Sequence, residues 1–312
     1  MNIMKKFRIG LLMMFMIMFT TTGFCGEADK GAEIKDARGY LEDVYADAMK
    51  FQSMHVDVAV DLKTALGNIS SSSKIDLINT PVLLGKIDTN IVMHGFQGKS
   101  TQIAINQYIN QVDDKLVSYT KFDDKWEKNT VPYKAEQYLV NSKESMNYIK
   151  SVKIQDQSAE NIALEVSIDM VQVRRSVAEG LKVAINNTNN PKGMDTKQFI
   201  KVLDEVLEAM GNVTYTVTVN KAKKQIVNVH ADWSKPAQNA AKIIVKQMPL
   251  TIEEQSLCQN FATNINLIIQ EDISQYNNVK DFTIPEDVVR NAQEAKKDKA
   301  ESMIPKEIES VI

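Results

Sequence analysis

Between residues 53 and 128 apolar and polar side chains alternate in run after run, the period of a β-strand. In "MHVDVAVDLK", Met54, Val56, Val58, Val60 and Leu62 alternate with His55, Asp57, Ala59, Asp61 and Lys63, so one face is dry and the other wet. The period returns at 73–77, 86–93, 102–108, 115–121 and 126–128, with turns expected at 79–81 and 95–98. Strands this short, broken by Gly, Pro, Asn and Asp, predict an antiparallel meander. Three later stretches share the pattern. "NIALEVSIDM" places Ile162, Leu164, Val166, Ile168 and Met170 on one face, and "VTYTVTV" and "QIVNVHADW" flank the turn "NKAKK". Residues 265–273 add a further strand, and "YNNVKDFTIP" is a candidate to close the sheet.

Helical spacing takes over elsewhere. Ile34, Ala37, Leu41, Val44, Ala48 and Phe51 recur every three or four residues over 33–52, with Gly39 as a weak spot. Further helices are expected over 134–151, 171–185 and 237–258. Another starts at the N-cap Asp195, with Gln198 in the reciprocal position, and stops at Gly211; its stripe is Phe199, Val202, Leu203, Val206 and Met210. No Pro-, Gly- or Ser-rich linker divides the chain. One α+β domain over about 30–286 is therefore expected, a large antiparallel sheet with helices on one face, followed by a charged helical or disordered tail over 287–312.

The N-terminus changes the setting. Lys5, Lys6 and Arg8 precede a Met-rich apolar run over 9–19 and then small residues, which reads as a signal peptide over 1–25 of an exported protein; an uncleaved anchor is the alternative. Its removal deletes three of the 37 basic residues and none of the 40 acidic ones, changing the net charge from −3 to −6. Such a balance gives no reason to expect nucleic acid as a partner. Cys25 sits where a lipoprotein carries its acylated cysteine, but Phe24 is bulky for that signal, so lipidation of Cys25 and its removal with the peptide both stay open. If it is removed, Cys258 has no intramolecular partner; a disulfide framework and a cysteine-rich zinc site are excluded.

Candidate chemistry is sparse. "DDKLVSYTKFDDKW" sets Asp113, Asp114, Asp123 and Asp124 between strand candidates, where aspartate is favoured for turning the chain; a metal site is the weaker alternative. His55 shares a strand face with Asp57 and Asp61, as His230 lies near Asp232, and both read as polar outer faces before they read as ligands. His94 reads as a turn residue beside Gly95. No phosphate loop, nucleophile elbow, zinc-protease or EF-hand pattern occurs, and neither catalysis nor a cofactor is expected.

Taken together, the signal, the first helix, "FQSMHVDVAVDLK", "NTPVLLGKIDT", "QYINQVDDKLVSYTKFDDKWEKNTVP", "NVTYTVTVNKAKKQIVNVHADWS" and "YNNVKDFTIPEDV" resemble the LolA-like bacterial envelope lipoproteins, members from monoderm bacteria most of all and the LppX and LprG lipoproteins more distantly. The resemblance spans about residues 33–290 and rests on pattern. It implies a curved half-barrel sheet with helices packed on its concave face and an apolar cavity between the layers that takes acyl chains. On that basis the apolar lining is expected from Val56, Val58 and Val60, from Ile162, Leu164 and Val166, and from Phe199, Leu203 and Val206. The expected function is non-enzymatic binding of a lipid or other hydrophobic small molecule in the cell envelope, with a membrane surface as a further partner and no protein partner indicated. The alternative is a structural or sensory surface protein with a filled core that binds other proteins.

Overall fold

A computed structural model of the chain describes residues 34–48, 50–65, 67–95, 100–122, 124–133, 146–187, 196–248 and 250–294. The signal peptide, Cys25, the turn at 96–98, Asp123, Asp195 and most of the helix expected over 134–151 lie outside the described residues.

The meander is present. Strands β1 (Ser53–Thr64), β2 (Gly67–Ile78), β3 (Leu84–Gly95), β4 (Ser100–Val112), β5 (Lys115–Phe122) and β6 (Lys125–Pro132) pair in sequence, each antiparallel to the next. A second series, β7 (Ile149–Gln157), β8 (Asn161–Ile168), β9 (Thr214–Asn220), β10 (Gln225–Asp232) and β11 (Asn266–Ser274), joins the first where β11 pairs with β1. With β12 (Gln293–Glu294), which runs parallel to β6, the order is β12-β6-β5-β4-β3-β2-β1-β11-β10-β9-β8-β7, one open, curved, twelve-stranded sheet.

Six α-helices accompany it among the described residues: α1 (Ala37–Ala48), α2 (Met170–Asn187), α3 (Thr196–Met210), α4 (Ser234–Lys246), α5 (Ile252–Thr263) and α6 (Glu286–Asn291). Gly39 is no weak spot: it lies in the first turn of α1, and its N–H donates to the Asp36 carboxylate at 3.0 Å. Gly211 has φ 69° just past α3, the left-handed stop its position suggested. The stretch expected as one helix over 237–258 is two. The first ends at its C-cap Gln247, and Thr251 starts the second through a capping box with Glu254.

Three other expectations need correction. Residues 149–151, read as the end of a helix, begin the edge strand β7. Only one side of an edge strand is paired, and two register shifts against β8 blur its alternation. "YNNVKDFTIP" is not a strand. Gln275 and Asn277 have positive φ and turn the chain off the sheet, where the Asn277 and Val279 N–H groups donate to Ser53. His94 lies inside β3, opposite Asn68 and Ser100, because β3 runs on to Gly95.

Two apolar clusters lie on the concave side. The first joins Leu41 and Val44 of α1 to Val56, Val58, Ile162, Leu164, Val166, Val217 and Val219. The second joins α3, α4 and α5 to Ala231, Leu267 and Ile269 through Val206, Met210, Val245 and Ala262. Val60 and Tyr215 touch both. On the convex side Val288 of α6 packs with Val117, Tyr119, Tyr108 and Trp126, so residues 284–294 form a clasp over β4–β6.

Candidate functional site

Strand register decides which side chains face the helices. Opposite residues in an antiparallel pair share a face, so the row through Val58 runs Leu164, Val217, Val229, Glu271, Val58, Ser73, Thr89 and Ile105. On this concave face β1 to β4 and β8 to β11 present no Lys, Arg or His. Their one carboxylate there is Glu271.

The nine expected lining residues divide by burial. Val56, Val58, Ile162, Leu164 and Val166 lie together in the first cluster and Val206 in the second, all buried. Val60 and Leu203 are half-buried at the cluster margins, and Phe199 of α3 is 43% exposed. Two surface depressions lie elsewhere. One of about 220 Å³ is bounded by Lys150, Asp169, Arg174 and Glu208, and one of about 300 Å³ by Lys121, Trp126 and Asp287. None of the nine lines either.

Past the described helices the same face continues onto β2–β4. Ile75, Ile87, Ile91, Ile103, Ile105 and Ile109 of β2–β4 share it and are half-buried. Among the described residues the helices pack chiefly over β1 and β7–β11, so this strip continues the apolar layer past their edge. The strands are legible in the sequence, and isoleucines in phase along them, Ile87 with Ile91 and Ile103 with Ile105 and Ile109, are the signal for this strip.

Polar side chains interrupt the layer at several places, Ser71 between Val60 and Ile91 and Gln107 opposite Ile87 among them, and at one place a carboxyl does. Glu271 has no hydrogen bond or ion pair to its carboxyl among the described residues, and burial pushes its pKa up to about 7. Tyr45 from α1 and Tyr215 from β9 face each other beside it. Burial raises the Tyr45 pKa, with Tyr215 and Glu271 adding to the shift; burial also raises that of Tyr215, against its bond to Tyr45. Ser73 and Thr89 share a hydroxyl hydrogen bond of 2.8 Å in the same row. Glu271 was legible in "NLIIQEDIS", where it stands in phase with Leu267, Ile269 and Ile273.

The histidine candidates lie on the opposite face. His55 Nδ1 lies 2.6 Å from Asp76 Oδ1 and its Nε2 3.2 Å from Asp57 Oδ2, so both ring nitrogens are engaged. Asp61 instead accepts from Ser70 at 2.6 Å. Among the described residues no group of three His, Cys, Asp or Glu side chains is placed to hold a metal. Asp113 and Asp124 have φ of 52° and 62° at the β4–β5 and β5–β6 turns, the left-handed conformation that aspartate tolerates.

These features define the class of the molecule: an α+β protein built on a single open, curved, largely antiparallel sheet with an apolar layer beneath its helices. No protein family and no curated protein matches the chain. Among solved structures, LprF from Mycobacterium bovis aligns with 82% of this chain and 99% of its own at 14% identity, with a TM-score of 0.35.

Proposed function

We propose that this is an exported, non-enzymatic envelope protein that binds a lipid or other hydrophobic ligand between sheet and helices. The half-buried isoleucine strip on β2–β4, continuous with the layer beneath the helices, carries this reading. A long acyl chain laid on it gains about 25 cal/mol for each Å² of apolar surface removed from water. Val60, Leu203 and Phe199 are the accessible members of the proposed lining; Val56, Val58, Ile162, Leu164, Val166 and Val206 meet ligand only as the helices move off the sheet. The signal segment supports export and admits a membrane surface as donor or acceptor of the ligand, with Cys25 as an anchor if it is acylated.

The packed state of those six residues favours a second reading, a surface protein with a filled core that binds other proteins. Native mass spectrometry of protein purified from its own cells separates the two. Retained lipid-sized adducts are expected, and consistently empty protein would count for the second reading.

A further inference from the structure

Glu271 stands in an apolar row between Val58 and Val229, where an alternating strand calls for a valine or isoleucine. An unpaired carboxyl in such a place costs free energy, so its retention calls for an explanation. Its surroundings narrow the choice. Tyr45 of α1 and Tyr215 of β9, both packed against the first cluster, lie close enough to sense its charge, and Ser73 and Thr89 lie on the opposite side of Val58. All four are hydroxyl groups that both donate and accept. With no Lys, Arg or His on this face of β1–β4 and β8–β11, an anionic group brought here meets no counter-charge from the sheet and one carboxyl of its own sign.

We propose that Glu271, Tyr45 and Tyr215, with Ser73 and Thr89 on the approach from the isoleucine strip, form a polar subsite that selects apolar ligands with an uncharged, hydroxyl-bearing head and rejects carboxylate- or phosphate-headed ones. The ligand's hydroxyl donates to Glu271 and accepts from a phenol, while its chain lies along Ile87, Ile91 and Ile105. This rests on the hydrophobic-ligand reading above and adds the chemistry of the head.

The test compares monopalmitoylglycerol with palmitate, equal in chain and different in head, by equilibrium dialysis at pH 8 below their micellar concentrations. Nile red serves as a probe without such a head. Monopalmitoylglycerol should bind at least about 10-fold tighter than palmitate. Glu271→Gln removes the charge and keeps the shape, and should bring the two within about 3-fold. Glu271→Leu should weaken monopalmitoylglycerol by about 10-fold and leave Nile red unchanged, with circular dichroism confirming the fold. Equal affinities in the wild type, or a preference unmoved in Glu271→Gln, would overturn the subsite while Nile red binding leaves the broader reading standing. If neither amphiphile nor Nile red binds, both fall.

Discussion

Glu271 and Val58 are direct partners across the β11–β1 pair, which places a carboxyl opposite a valine at the centre of the concave face. The pairing joins the two halves of the sheet, since β11 and β1 are the strands through which residues 149–274 meet residues 53–132. It also gives the fold a pH dependence.

The ordinary carboxyl value is 4.5, and in the folded chain Glu271 is held at about 7. Between those values the unfolded chain releases the proton and the folded chain keeps it. Stability therefore falls as pH rises through the window, and the full cost is present above 7. Glu271→Gln should remove this slope, so urea unfolding at pH 8 should find the variant more stable by about 2 kcal/mol, after allowance for solvent reaching a half-buried carboxyl. Equal wild-type-minus-variant differences at pH 4 and pH 8 would contradict the burial argument.

Among the described residues an ionic tie between helices joins Arg174 to Asp204, Nε to Oδ1 at 2.8 Å and Nη2 to Oδ2 at 2.7 Å, with Glu208 at 3.3 Å. It links α2 to α3, and the guanidinium holds the Asp204 carboxyl below its usual range. Both groups meet solvent, so Asp204→Asn should cost only about 1 kcal/mol in thermal or urea unfolding, less in high salt.

Leu164 is fully buried in the first cluster between β8 and α1. Leu164→Ala should cost about 2–5 kcal/mol by chemical denaturation. A loss below about 1 kcal/mol would mean that the layer there is loosely filled.

Asp113 adopts φ 52° at the β4–β5 turn. Asp113→Gly should be neutral or slightly stabilising, whereas Asp113→Val should cost about 1–2 kcal/mol, because a β-branched residue is strained there. A catalytic or metal role would make both substitutions equally harmful to activity; a turn role separates them in unfolding experiments.

Trp126 packs against Tyr108, ring centroids 5.8 Å apart, beneath the clasp formed by Ile284, Val288 and Ala292. Ending the chain after residue 283 should expose it and shift its fluorescence to the red. A Trp233→Phe background isolates the signal, because Trp233 is buried elsewhere and donates to the Thr214 carbonyl at 2.9 Å.

Local rules made much of the fold legible. Val56, Val58 and Val60 alternate with polar neighbours, and a period of two can only put them on one face, so β1 and its dry side follow from the residues alone. Asp113 and Asp124 were readable as turn residues for the same local reason. The edge strand β7 was not, because register shifts and one-sided pairing erase the pattern that marks a strand.

Burial and partnership were decided only in three dimensions. The pairing of β11 with β1, more than two hundred residues apart in the chain, is what sets Glu271 beside Val58. The packing of α1 onto the sheet is what brings Tyr45 to Glu271 and Tyr215. Sequence by itself determined which residues could be dry, since side-chain period is a property of the local backbone. Which dry residues became packed core and which stayed half-buried depended on where the helices lie, and that follows from long-range contacts that no local pattern encodes.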